Sequence, residues 1–179
     1  MNRLVSTRGY LCGAMDRVKD GGVQWRQDIK YAMPKLGVHW MDPCDKPIDI
    51  GIEDLENRQI RRAAKERGDF DLVRRDMKII RHVDLRMVDI SDFVIVNLDM
   101  EVHACGTWEE VALANRQKKP IIARVEQGKE NAPDWLLAMH QHSTIFSTWL
   151  EVREYLWHIA HDKVIDDLGR WLFFDWMGE

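Results

Sequence analysis

The feature that most constrains the fold is a continuous apolar run, FVIVNL, at residues 93–98. Most of its residues are β-branched or aromatic, and polar residues flank it, which is typical of a short buried strand rather than a helix. Strands that are apolar on both faces occur in parallel sheets covered by helices on either side. The run therefore predicts the centre of a parallel sheet.

Strand and helix patterns alternate along the rest of the chain. Short apolar runs predict strands at 9–13, 38–41, 121–125 and 144–146. Helical spacing predicts helices at about 22–36, 51–67, 69–90, 107–118 and 148–169, and a short helix that opens at 131–133. This alternation predicts an α/β fold with a doubly wound five-stranded parallel sheet, a three-layer sandwich of the flavodoxin-like or Rossmann-like kind. Without a repeat or linker, residues 1–179 are expected to form a single domain.

Charge and composition exclude several classes of protein. A formal net charge of -4 gives no electrostatic case for a nucleic acid polymer or a membrane as partner. Charged residues interrupt every apolar stretch, and the first residues lack the apolar segment of a secretory signal. The three cysteines form no CxxC pair, and the seven histidines form no metal-binding pattern. We therefore expect a cytoplasmic protein with reduced thiols and with neither metal nor cofactor.

Parallel sheets of this kind bind ligands at the carboxyl ends of their strands. The first such loop, GAMDRVKDGG, begins at Gly13 and offers Asp16, Arg17 and Lys19 as polar contacts, while its glycines would let the backbone approach a ligand. It matches neither a dinucleotide-binding fingerprint nor a Walker loop. A plain strand-to-helix turn is an equal alternative.

One carboxylate falls on the apolar face of a predicted helix. Asp84 belongs to the inward stripe of the helix at 69–90, whose members are Val73, Met77, Ile80, Asp84, Met87 and Val88. A buried carboxylate costs several kcal/mol unless it is paired or hydrogen-bonded, so a functional role is indicated. The alternative is a structural Asp that caps a neighbouring loop.

A second candidate carboxylate, Glu110, lies at the predicted start of the helix that follows the central strand. Thr107 and Glu110 have the spacing of a helix capping box, which alone would explain Glu110. A functional role is favoured by location, because this helix start faces the predicted ligand crevice. The adjacent Glu109 is expected to face solvent. Cys105 with His103 is a weaker alternative pair for nucleophilic chemistry.

Three segments together resemble the nucleoside 2-deoxyribosyltransferase family, which includes deoxynucleoside 5′-monophosphate N-glycosidases. The segments are YLCGAMD at 10–16, HVDLRMVDISDFVIVNLD at 82–99 and GTWEEVALANRQKKPII at 106–122. The resemblance extends from about residue 9 to residue 158. The pattern D-x-G-x-x-WR at 20–26 and the later GTWEE look like members carried by phages and prokaryotes.

The resemblance implies a role for each candidate residue. Glu110 would be the nucleophile that attacks the anomeric carbon, and Asp84 the partner carboxylate that handles the proton on the base. The remaining residues would bind substrate: the first loop would hold sugar and base, Gly106 and Thr107 would let the substrate approach, and the end of the central strand would contact sugar hydroxyls. These residues are Tyr10, Gly13, Ala14, Met15, Asp16, Trp25, Asn97, Asp99, Gly106 and Thr107.

The implied activity is cleavage of an N-glycosidic bond through a covalent glycosyl–Glu110 intermediate, followed by transfer of the 2-deoxyribosyl group to another free nucleobase. An alternative is hydrolysis of a nucleoside 5′-monophosphate, with Arg17, Lys19 and Arg26 binding the phosphate. NAD glycohydrolysis and a non-catalytic nucleotide-binding module are further alternatives. All take a small-molecule nucleoside or nucleotide.

The C-terminal sequence departs from the family. Transferases of this family often complete the site with a neighbouring subunit's C-terminus, so a homo-oligomer is expected, but GRWLFFDWMGE does not align with that pattern. This aromatic tail, at about 164–179, is expected to bury Trp171, Phe173, Phe174 and Trp176 against its own domain or a second subunit.

Overall fold

The computed structural model describes residues 2–161 and 169–171. Within them, five strands form one sheet in the order β2-β1-β3-β4-β5, and every pairing is parallel. The strands are β1 (Arg8–Gly13), β2 (His39–Met41), β3 (Phe93–Leu98), β4 (Ile121–Val125) and β5 (Ile145–Phe146). The predicted doubly wound parallel sheet is confirmed, and FVIVNL is its central strand.

Helices cover both faces of this sheet. They are α1 (Val23–Ala32), α2 (Leu55–Glu66), α3 (Phe70–Ile90), α4 (Cys105–Arg116), α5 (Asp134–Met139) and α6 (Trp149–His161). Short 3₁₀ turns lie at Pro34–Leu36, Lys129–Asn131 and His142–Thr144. One hydrophobic cluster joins the sheet to α3, α4 and α5, and a second joins it to α1 and α6.

The alternation of side chains along β1 and β3 decides which residues can meet which helices. Tyr10 and Cys12 belong to the cluster under α3 and α4, whereas Leu11 between them belongs to the cluster under α1 and α6. The same period of two holds in β3, where Val94 and Val96 face α3 and α4 while Ile95 faces the other side. Only the first set can contribute to a site built on α3 and α4.

Several helix ends differ from the predicted ones for local reasons. Helix α1 ends at Ala32 rather than 36 because Pro34 cannot continue an α-helix. Helix α2 begins at Leu55 rather than 51, where the Asp54 side chain caps it by accepting from the backbone N–H of Asn57 at 2.7 Å. Beyond His161, the predicted end of the last helix lies outside the described residues.

The C-terminal tail is described only in part. Trp171 is buried; its ring lies 5.2 Å from that of Phe93, and its Nε1 donates to Tyr155 Oη at 2.8 Å. Phe173, Phe174 and Trp176 lie outside the described residues. No helix in the described ranges has the length and apolarity needed to cross a membrane.

Candidate active site

A cleft of about 460 Å³ lies at the carboxyl ends of β1 and β3. It is bounded by the β1–α1 loop, by α3 and by the start of α4, on the α3 and α4 side of the sheet. Eight residues predicted for the site line it together: Gly13, Ala14, Met15, Asp16, Asp84, Gly106, Thr107 and Glu110. Segments far apart in sequence are therefore brought to one place.

Both carboxylate oxygens of Glu110 have a buried hydrogen-bond partner. The Tyr10 hydroxyl donates to its Oε1 at 2.8 Å, and the Cys12 thiol lies 3.0 Å from its Oε2. Both donors are fully buried and come from the face of β1 that packs under α4. Tyr10, which was predicted to bind substrate, thus lies beneath Glu110 and holds it instead of lining the cleft.

The capping-box explanation of Glu110 is wrong. Helix α4 begins at Cys105, with Ala104 as its N-cap and no side-chain capping bond. Thr107 is therefore inside the first turn and buried, and Glu110 is in the second turn. A carboxylate there cannot reach back to the N-cap, so Glu110 serves contacts with β1 instead of helix capping.

Burial and hydrogen bonding shift the pKa of the Glu110 carboxyl in opposite directions. Burial raises the pKa of its carboxyl above the ordinary value, while the bonds from Cys12 and Tyr10 and the charge of Arg26 oppose that rise. Burial, with the nearby Glu110 charge second, raises the pKa of Tyr10 and of Cys12 well above normal. Both partners therefore stay protonated and can donate to an ionised Glu110.

Asp84 is buried in the cleft wall, as predicted, and has a partner that the sequence did not indicate. Lys46 Nζ lies 2.8 Å from Asp84 Oδ1, close enough for an ion pair when Asp84 is ionised. Lys46 also pairs with Glu53 at 3.1 Å. Burial, and then the Glu53 charge, raise the pKa of Asp84 to about 8 although Lys46 opposes them. Burial and the Glu53 charge therefore favour the protonated form of Asp84.

Arg26 shapes the β1–α1 loop from within. Its guanidinium is fully buried and donates to the carbonyls of Leu11, Gly13 and Gly22 at 3.2, 2.9 and 2.7 Å. Its Nε also lies 3.6 Å from Asp42 Oδ1. Arg26 is therefore committed to the loop backbone and is not placed to bind a phosphate, which corrects the prediction for this residue.

The paired glycines of that loop serve packing rather than approach of a ligand. Gly22 has a φ of 73°, and a Cβ there would lie 2.4 Å from the Ala14 carbonyl oxygen. A Cβ on Gly21, with a φ of 70°, would meet the Arg58 guanidinium. The loop must turn tightly at both positions to bring Ala14 and Met15 into the cleft.

The neighbours of Glu110 on α4 have different surroundings. Glu109 is half-exposed and forms a two-pronged ion pair with Arg81 of α3 at the rim of the cleft. Cys105 and His103 line the cleft but are exposed, and no hydrogen bond joins them among the described residues. This geometry gives no support to a Cys–His nucleophile.

Besides Tyr10, three predicted substrate-binding residues lie outside this cleft. Trp25 stacks on Trp149 of α6 at 5.3 Å, on the opposite side of the sheet. Asn97 has the strand parity of Ile95, and its amide pairs with Glu126 at 2.8 Å and Arg124 at 3.0 Å. Asp99 accepts from Gln127 at 2.7 Å and lines a neighbouring hollow.

Cys12, Lys46 and Glu53 are the site residues that sequence reasoning missed. The alternation of β1 places Cys12 on the same face as Tyr10, so a period-two reading could have found it. Lys46 and Glu53 lie in the irregular connection between β2 and α2, where no periodicity indicates which side chains turn inward. Among the described residues, no group of three or more His, Cys, Asp or Glu side chains is arranged to hold a metal ion.

Comparison with known proteins supports the fold. No family model matches the chain, and no curated protein matches its sequence. Among solved structures, the chain is similar to a 2-desoxiribosyltransferase from Leishmania mexicana, with a TM-score of 0.55 and 16% sequence identity. The alignment covers 85% of this chain and 98% of that one. The two chains therefore share an α/β architecture over nearly the full length of the Leishmania protein.

Proposed function

We propose that this chain is an enzyme that cleaves the N-glycosidic bond of a (deoxy)nucleoside through Glu110 and transfers the 2-deoxyribosyl group to another nucleobase. The observation that carries the proposal is the pairing of two unlike carboxyl groups in one cleft. Glu110 is held through both oxygens by Tyr10 and Cys12. Burial, and after it the Glu53 charge, raise the pKa of Asp84 and favour its protonated form. Such a pair suits nucleophilic attack combined with acid catalysis.

In the first step, a Glu110 oxygen attacks C1′ of the donor while the C1′–N bond breaks. The electron pair of that bond goes to the base nitrogen, which takes the proton of Asp84 and leaves as a neutral base. Positive charge on the sugar in the transition state is stabilised by the Glu110 carboxylate. The products are a glycosyl ester on Glu110 and an ionised Asp84.

In the second step, the nitrogen of another base attacks C1′ and the ester bond to Glu110 breaks. The acceptor gives its N–H proton back to Asp84, which restores both carboxyl groups to their starting states. Water can replace the acceptor, in which case hydrolysis results. A cleft of about 460 Å³ is within the usual size range of small-molecule sites, which accords with a nucleoside ligand.

Hydrolysis of a (deoxy)nucleoside 5′-monophosphate is the second candidate, and one observation favours it. A hollow of about 520 Å³ adjoins the cleft and shares Arg17 with it. It is lined by further basic side chains of α2, among them Arg58 and Lys65. Arg58 Nη1 donates to the Met15 backbone carbonyl at 2.7 Å. This bond is to a neutral group, so it does not neutralise the positive charge of Arg58.

The test is chromatographic and uses neighbouring glutamates as a matched pair. The protein, its Glu110→Gln variant and its Glu109→Gln variant are incubated with deoxynucleosides and their 5′-monophosphates, with and without a second free base. We expect a new nucleoside only when an acceptor base is present. Glu110→Gln should lower the rate about a thousandfold or more, whereas Glu109→Gln should retain most of it.

Other results of this assay would favour a different activity. Release of free base without an acceptor identifies a hydrolase, and faster reaction of the monophosphate assigns the adjoining hollow to phosphate. If no donor reacts, the glycosidic-bond proposal fails. Retention of nucleotide binding by Glu110→Gln would then favour a non-catalytic binding module.

A further inference from the structure

The β2–α2 connection places two charged side chains beside Asp84 in the cleft wall. The side chain of Lys46 is 3% exposed, and those of Glu53 and Asp84 are each 11% exposed. Lys46 Nζ bridges the two carboxylates, at 2.8 Å from Asp84 Oδ1 and 3.1 Å from Glu53 Oε1. It also donates to the Gly51 carbonyl at 2.6 Å, which fixes its position.

The cluster of Lys46, Glu53 and Asp84 contains one more carboxylate than a purely structural ion pair requires. A single buried ion pair would satisfy Lys46, and a second buried carboxylate adds a desolvation cost. Glu53 also lies in the cleft wall with Asp84 and Glu110, so all three acids adjoin the space proposed for the substrate. The arrangement divides one positive charge between two acids.

We propose that Lys46 and Glu53 are positioning residues that set when Asp84 gives up its proton. The proposal rests on the function proposed above, in which Asp84 is the acid. Lys46 stabilises the carboxylate that Asp84 becomes once its proton has moved to the departing base nitrogen. Glu53 pairs with the same ammonium group and adds negative charge near Asp84. The attraction of Lys46 is therefore not enough to keep Asp84 ionised before substrate binds. Neither residue gains or loses a proton in the cycle.

Charged or titratable groups on three elements face Asp84 and affect its ionisation. Lys46 and Glu53 come from the β2–α2 connection, Glu110 from α4, and the Tyr10 hydroxyl from β1. Glu110 adds to the charge that disfavours ionisation of Asp84. Arg81, on the same helix as Asp84, is occupied by Glu109 at the rim.

The opposing roles predict shifts of opposite sign. Lys46→Met removes the attraction for the carboxylate, so the titration midpoint of Asp84 should rise by about one pH unit or more. Glu53→Gln removes the competing acid, so that midpoint should fall by a similar amount. The double variant should return towards the wild-type midpoint, and Lys46→Arg should stay near it.

The measurement is a carboxyl ¹³C NMR titration of the full chain labelled at aspartate, with the Asp84 signal assigned through Asp84→Asn. Lys35→Met and Glu56→Gln, which remove exposed charges elsewhere, serve as controls and should not move the signal. Equal midpoints in wild type, Lys46→Met and Glu53→Gln, or shifts of the same sign, would overturn the proposal. If the unpaired charge left in one single variant prevents folding, the sign of the midpoint shift in the other single variant still tests the proposal.

Activity gives a separate readout. The alkaline limb of kcat/KM against pH should follow the NMR midpoint in each variant, and a limb that stays fixed while the midpoint moves contradicts the role of the cluster in catalysis. If the wild type cleaves no donor while the midpoints still shift in opposite directions, the proposed function fails and the assignment of the two neighbours survives.

Discussion

The Tyr10 hydroxyl donates to Glu110 Oε1 at 2.8 Å, although the two residues are 100 positions apart in the sequence. The contact exists because Tyr10 lies on the face of β1 that packs under α4, and Glu110 lies in the second turn of that helix. A hydrogen bond to a carboxylate in a buried place favours the ionised form. In the proposed mechanism, this bond keeps Glu110 ionised for attack on the anomeric carbon.

Tyr10→Phe removes this hydroxyl and little else. A hydrogen bond to a charged group contributes about 1.5–3 kcal/mol, so we expect kcat/KM to fall by roughly 10- to 100-fold. Because a donor that favours the carboxylate is lost, the acidic limb of the pH profile should move to higher pH. Steady-state kinetics from pH 4 to 9 measure both effects. An unchanged acidic limb would show that the hydroxyl does not tune Glu110.

Cys12→Ala tests the second donor. The thiol is a weaker donor, so the expected loss in kcat/KM is roughly fivefold, equivalent to about 1 kcal/mol. The matched control is Cys105→Ala, which removes an exposed cysteine that also lines the cleft and contacts neither Glu110 oxygen. A larger loss with Cys105→Ala than with Cys12→Ala would revive the Cys–His nucleophile.

The sheet and the burial of Asp84 could be predicted because each rests on local periodicity, whereas Glu110 was predicted from its place near a helix start and from the family resemblance. FVIVNL could only be a buried strand, and Asp84 interrupts an apolar helical stripe at a position that the structure buries. Asn97 shows where such reasoning fails. Its place at a strand end suggested the site, but the period of two turns it to the opposite face of the sheet from Glu110.

The partners of Asp84 could not be predicted because no local rule governs them. Lys46 lies in an irregular segment, and its inward direction depends on the Gly51 carbonyl and on α3, which follows much later in the chain. Likewise, the spacing of Thr107 and Glu110 suggested a capping box, but α4 starts two residues earlier. Tertiary contacts, rather than helix-end rules, decided the role of Glu110.

Asp84→Asn should stabilise the protein as the pH rises. The pKa of Asp84 is about 8 in the folded protein, against about 3.9 in an unfolded chain. Below about pH 4 both states hold the proton. Between the two pKa values only the folded state does, so the wild type loses stability as pH increases. The neutral Asn avoids that loss, as is common where a group is retained for function.

The measurement is urea unfolding of both proteins at pH 5 and at pH 8. The advantage of the variant in free energy of unfolding should grow by at least about 1 kcal/mol between the two. An advantage that stays the same at pH 5 and pH 8 would mean that Asp84 is already ionised in the folded state over that range. The variant should also lose the alkaline limb of the activity profile, because its acid is gone.

Gly106→Ala separates binding from folding at the start of α4. Gly106 lines the cleft, and a Cβ built on it would meet no protein atom within 4 Å. Packing therefore does not require glycine there, and alanine in a helix is favoured by roughly 0.5–1 kcal/mol. We expect thermal unfolding to show equal or greater stability, while KM for the donor rises because the added methyl group occupies space beside Glu110. If KM is unchanged and stability rises, the substrate does not pass over this turn, and Gly106 is not part of the binding site.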